Sequence, residues 1–92
     1  MQTFVITADI NKPFAEWRAG FDEHASTRAQ FGIVSLGAAL LPGTQDNGLQ
    51  RIVLALQAAS QEALDNMIAA EADKIAATGH VLESTQVSVL IP

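Results

Sequence analysis

Apolar and polar positions alternate from the start of the chain. In Thr3–Ile10, T-F-V-I-T-A-D-I, the side chains Phe4, Ile6, Ala8 and Ile10 take one face, and Thr3, Val5, Thr7 and Asp9 take the other. That period of two predicts a strand with one strongly buried face. Asn11 is a good helix cap and Pro13 is tolerated in a first helical turn, so a helix is expected from Pro13 to about Gln30, ending before Gly32. Ile33–Leu41 reads as a strand with Val34, Leu36, Ala38 and Leu40 on one face. The turn-rich run 42–48, P-G-T-Q-D-N-G, separates it from a third strand, Leu49–Ala58, with Ile52, Leu54 and Leu56 aligned. Two such runs joined by a turn predict an antiparallel hairpin. Ser60 caps a second predicted helix, Gln61 to about Thr78, whose apolar stripe is Leu64, Met67, Ile68 and Ile75, with Gly79 as its stop. Val81–Ile91 is the last expected strand, with Val87, Val89 and Ile91 on one face.

The order β-α-β-β-α-β is a split βαβ arrangement and predicts an α+β fold, a four-stranded antiparallel sheet with two helices on one face, in one domain spanning 1–92. The opposite face of such a sheet should be polar if water covers it. Here Val5, Ala39, Leu41, Val53 and Ala55 fall on that face. The apolar fraction of 49% also overstates the core, because sixteen of those residues are alanine, which buries little area. Both observations predict a homodimer in which a second copy covers the open face.

A net charge of −5, with only five Lys and Arg spread over the chain, argues against nucleic acid and against an anionic membrane surface. No apolar run approaches the ~20 residues of a membrane span. Met1 leads directly into strand-like sequence without a charged segment or cleavage motif, so no signal peptide is expected. The lack of cysteine removes disulfides, thiol nucleophiles and thiolate metal sites, and a cytoplasmic protein is the simplest expectation.

The residues that carry chemistry concentrate in the first helix. On a wheel of ~100° per residue, Phe14, Phe21 and Ala25 point at the sheet. Trp17 and His24 share one margin of that stripe, with Arg28 between them and its centre. Arg18 and Asp22 occupy the opposite margin at ion-pair spacing and read as a surface pair. Trp17 at such an edge is either core packing or a cleft wall on which a planar ligand stacks. His24 is either a surface group or a proton donor and acceptor near neutral pH. Glu71 falls in the middle of the second helix's apolar stripe, where a carboxylate is costly unless paired. It either reaches Lys74 and solvent or joins His24 in the cleft. His80, just past that helix, reads as an imidazole favoured in its protonated form by the helix dipole. His24 and His80 with Glu71 or Asp22 lack diagnostic ligand spacing, so no metal is expected, and no motif calls for a cofactor. The candidate ligand-binding set is Trp17, His24, Arg28 and Glu71.

In this layout the chain resembles the dimeric α/β-barrel branch of ferredoxin-like folds, which includes antibiotic-biosynthesis-type monooxygenases and muconolactone isomerases. More narrowly, F-x-x-W-R-x-x-F-D at Phe14–Asp22 and T-G-H-V-L-E-S-T-Q-V-S-V at Thr78–Val89 look like a family of short bacterial proteins catalogued as a domain of unknown function. The resemblance implies a ferredoxin-like dimeric barrel with a ligand cleft between sheet and helices. Haem-degrading members of the branch resemble one another in an Asn on the first strand, which Thr3–Ile10 lacks, so haem degradation is not expected. Three readings follow: a protein that binds a small, partly apolar molecule; a cofactor-free monooxygenase or isomerase; and an interaction domain without a ligand site. The first is the one these residues favour.

Overall fold

The computed structural model covers residues 1–92. It contains β1 (Gln2–Ile10), α1 (Phe14–Glu23), α2 (Ala25–Gln30), β2 (Val34–Leu40), β3 (Gln50–Ala58), α3 (Gln61–Ala70), α4 (Ala72–Ala77) and β4 (Gln86–Leu90), with a 3₁₀ turn at Leu82–Ser84. The sheet order is β2-β3-β1-β4, antiparallel throughout. This is the ferredoxin-like arrangement that the sequence predicts. In the central pair Phe4 lies opposite Leu56, Ile6 opposite Leu54 and Ala8 opposite Ile52. These even-numbered residues are buried against Trp17, Phe21, Leu64 and Met67, so the helices cover one face of the sheet. No helix is long and apolar enough to cross a membrane.

Each predicted helix proves to be two. The first breaks at His24 (φ −88°, ψ 8°) and the second at Glu71 (φ −110°, ψ 18°), both in the sparsely populated bridge between helical and extended backbone. The break at Glu71 coincides with the charged residue in the apolar stripe. It leaves that carboxylate 20% exposed and 3.4 Å from Lys74 Nζ. On the first helix the buried stripe is rotated toward the indole: Trp17 is 2% exposed, whereas Ala25, beyond the break, faces solvent and Phe14 is half-buried. The larger side chain holds the centre because its burial removes more apolar area from water. Ser60 caps α3 as expected, its hydroxyl accepting from Ala63 N–H at 3.1 Å.

Two strands also depart from the expected pattern. A bulge between Ser35 and Gly37 shifts the register of β2, so Val34 faces outward opposite Gln57 while Ala38 and Leu40 face inward opposite Leu54 and Ile52. Val34 and Leu36 are thereby 51% and 54% exposed, and the single face assigned to β2 is split. The last strand starts at Gln86 rather than Val81. The intervening segment is tied to β1 by an Ile10–His80 bridge and by Val81 N–H donating to the Asp9 carbonyl at 2.9 Å.

The open face of the sheet is divided. At one end Arg51 donates to Asp9 Oδ1 (2.8 Å), Thr7 Oγ1 (2.8 Å) and Gln86 Oε1 (3.2 Å), and Asn47 Nδ2 donates to Asp9 Oδ2 (3.1 Å). Val5, Val53 and Ala55 are half-buried on the rest of that face, with Ala39 and Leu90 exposed beside them.

A cavity between the sheet and the broken helices

A cavity of about 70 Å³ lies between the sheet and the helices. Ile6, Leu54 and Leu56 form its floor, Trp17, Phe21, His24 and Arg28 one wall, and Met67, Ile68, Glu71 and Ile75 the other. Thr78, His80, Leu82 and Thr85 close one end. All four predicted ligand-binding residues therefore meet on one space, and both helix breaks border it. His24 and Thr78 also border a shallow outer groove lined by Lys12, Glu16, Glu23 and Lys74, so they stand between the cavity and the exterior.

Trp17 is stacked between Phe14 and Phe21, with ring centroids 5.7 Å and 5.1 Å away. It is a core residue, as the packing reading expects, and it also lines the cavity. Arg18 and Asp22 form the expected surface pair at 3.2 Å, with Arg18 also donating to the Ala38 carbonyl at 3.0 Å.

Arg28 is the unusual member. It is 7% exposed, with its guanidinium carbon 3.8 Å from the centroid of the Phe21 ring. The α1–α2 break makes that position reachable. His24 N–H turns back to the Phe21 carbonyl at 3.3 Å, and Arg28 Nη1 donates to the same carbonyl at 2.7 Å. Past Arg28 the chain reverses through Gly32 (φ 73°), with Phe31 N–H and Ile33 N–H both donating to the Arg28 carbonyl, which fixes the backbone below the side chain. Burial lowers the Arg28 pKa from its ordinary value; Asp22 pulls it back up and Arg18 lowers it further. An arginine in a protein nonetheless stays charged.

His80 overturns its sequence reading. Instead of a protonated imidazole at a helix end, it is a cavity residue whose pKa burial pushes below the ordinary histidine value. Its Nε2 lies 2.7 Å from Thr85 Oγ1. Gly79 at φ 102° directs this turn, its carbonyl accepting from Asn11 N–H at 2.8 Å. Thr78, Leu82 and Thr85 were likewise outside the predicted set. The available signal was the period of two in Thr78, His80 and Leu82. It points even positions inward, whereas Val87 and Val89 point odd positions inward. A regular strand cannot do both; the 3₁₀ turn at Leu82–Ser84 supplies the change of parity.

The site is thus an apolar space with one buried cation, one carboxylate paired to a lysine and two imidazoles at its rim. Small-molecule sites commonly combine such an apolar lining with a few polar groups.

Fold and site together define a class: ferredoxin-like α+β domains with a cavity between sheet and helices. Within that class the chain belongs to the family described as Domain of unknown function (DUF3764), whose model matches residues 1–91. Comparison with curated proteins finds no match. Among solved structures the chain is similar to SnoaB, a cofactor-independent oxygenase from Streptomyces nogalater, at 16% identity and a TM-score of 0.55, covering 99% of this chain and 91% of that one. It is also similar to the C-terminal domain of the MgtC protein from Mycobacterium tuberculosis (15% identity, TM-score 0.60, 98% and 88% covered). A NIPSNAP domain protein from Burkholderia xenovorans is a third likeness (15% identity, TM-score 0.55, 100% and 94% covered). At these identities the likeness is one of fold.

Proposed function

We propose that the protein binds a small, partly apolar molecule in this cavity and works as a homodimer joined through the open sheet face. The observation that carries the reading is convergence. The segments Phe14–Asp22 and Thr78–Val89, which hold the sequence motifs, supply Trp17 and Phe21 to one wall of the cavity and Thr78, His80, Leu82 and Thr85 to one end. The dimer is supported by the half-buried Val5, Val53 and Ala55 on a face that no helix covers.

A thermal-shift screen with short alcohols, phenols, carboxylates and amides tests the reading. Ligands stabilise in proportion to their occupancy of the folded state. Hits that disappear in Ile68→Trp, which fills the cavity from its half-buried edge, support it; hits that persist in that variant, or no hits at all, count against it.

A second reading, proton-transfer catalysis, is favoured by one observation: a desolvated imidazole, His80, opens on the same space as Glu71 and His24. Turnover of a cavity ligand that His80→Gln abolishes while binding persists would establish it. Binding without turnover leaves the first reading alone.

A further inference from the structure

We infer that the cavity's ligand is a small organic monoanion, a carboxylate on a short apolar skeleton, and that Arg28 is its receptor. This rests on the cavity being a binding site, as proposed above.

The chain has three arginines, and two of them are paired: Arg18 with Asp22 and Arg51 with Asp9. Arg28, the most buried cation, pairs with no carboxylate. A buried charge is normally compensated, because removing an ion from water costs several kcal/mol. The protein meets part of that cost with the Phe21 ring beneath the guanidinium and with one carbonyl on Nη1. The remaining N–H groups donate to no protein acceptor. Yet no fully buried side-chain nitrogen lacks a partner, so these groups keep an open side, and Arg28 lines the cavity. The one carboxylate on the cavity, Glu71, is engaged by Lys74 at 3.4 Å. The unfilled requirement is therefore an anion arriving from the cavity.

The geometry narrows its class. A guanidinium presents its donors in a planar fork that matches a carboxylate with two parallel hydrogen bonds. Because Phe21 and its carbonyl hold one face and one edge, a single planar oxyanion takes the other edge. Ile6, Trp17, Leu54 and Met67 make the middle of the lining apolar, while His24, Glu71, Thr78, His80 and Thr85 supply its remaining polar groups, so the body of the ligand is mainly apolar. At about 70 Å³ the space is roughly half of the ~150 Å³ that holds benzene in an engineered cavity, so the skeleton is short. A nucleotide or a sugar phosphate has neither the size nor the apolar body for it.

The test compares isosteres that differ only in charge, isobutyrate against isobutyramide, by calorimetry at pH 8, above the ordinary imidazole range. Isobutyrate should bind at least tenfold tighter than its amide, the factor that 1.4 kcal/mol makes. Arg28→Met, which keeps the stem and removes the fork, should erase that preference while still binding the amide. Arg28→Lys, which keeps the charge but not the fork, should restore only part of it. Should Arg28→Met fail to fold, the wild-type preference together with Arg28→Lys decides. Equal binding of acid and amide to wild type, absent from Ile68→Trp, overturns the anion inference and leaves the cavity reading standing. A carboxylate preference that survives in Arg28→Met assigns the receptor elsewhere and overturns the inference as well. No binding of either isostere, with no hit in the thermal-shift screen, removes both.

Discussion

Removing Trp17 should unfold much of the protein, and the size of the effect separates core from cleft wall. The side chain is 2% exposed and stacked on Phe14 and Phe21. Truncating such a residue to alanine costs about 3–5 kcal/mol, combining lost transfer energy with the void left behind. For a domain of this size 1 kcal/mol moves Tm by roughly 4–8 °C. Trp17→Ala should therefore lower Tm by at least ~12 °C, and it approaches the whole stability of a typical small domain, about 5–15 kcal/mol. Trp17→Phe retains a ring between Phe14 and Phe21 and loses only part of the buried area, so its cost should be about 1–2 kcal/mol. Both are read by circular dichroism during thermal and urea unfolding, because the variants lack the only tryptophan. A Tm drop of under ~3 °C for Trp17→Ala, the behaviour of a surface position, would refute the core assignment.

Other perturbations follow from the same structure. Gly79→Ala places a Cβ 2.9 Å from Lys12 Cβ at φ 102°, and should cost about 2–3 kcal/mol in urea unfolding. Gly43→Ala, with φ 84° in open space, should cost clearly less; equal costs would contradict the close approach of Lys12. Because burial lowers the folded-state pKa of His80 below its ordinary 6.5, the unfolded chain binds that proton more readily. Stability should thus be full above about pH 7 and fall as pH drops through 6.5 toward the folded value; His80→Gln should flatten that part of a Tm-against-pH curve, and an unchanged slope would reject the cause. Val53→Asp puts a charge on the open sheet face. If that face joins two copies, light scattering should give wild type at twice 9.7 kDa and the variant at 9.7 kDa, whereas two identical masses would reject the interface.

Much of the architecture was legible because Thr3–Ile10 and Leu49–Ala58 alternate cleanly and pair in the centre of the sheet. There the buried face decides everything, and register follows from it. What was not legible lies where local pattern yields to tertiary demands. Nothing in Ala25 to Gln30 signals a break at His24; the break is visible only once Arg28 is seen to fold back on the Phe21 carbonyl. The bulge at Ser35–Gly37 has Gly37 as its sole sequence mark. Among the cavity-lining residues, Trp17, His24, Arg28 and Glu71 were identifiable as neighbours from helical spacing on two amphipathic segments. His80 was not, because its role depends on the irregular path between Gly79 and Gln86. A helix-end histidine and a cavity histidine look alike until burial is known.

The central claim is that the cavity is the binding site, and nitrogen–proton correlation spectra of the labelled protein titrated with isobutyrate test it most directly. The account predicts saturable shifts at the Trp17 indole N–H, the Arg28 side chain and the backbone of Thr78–Thr85, with the open-face strand positions Val53 and Ala55 unmoved. Shifts confined to the open sheet face, or none at any concentration for this probe and its amide alike, would contradict it.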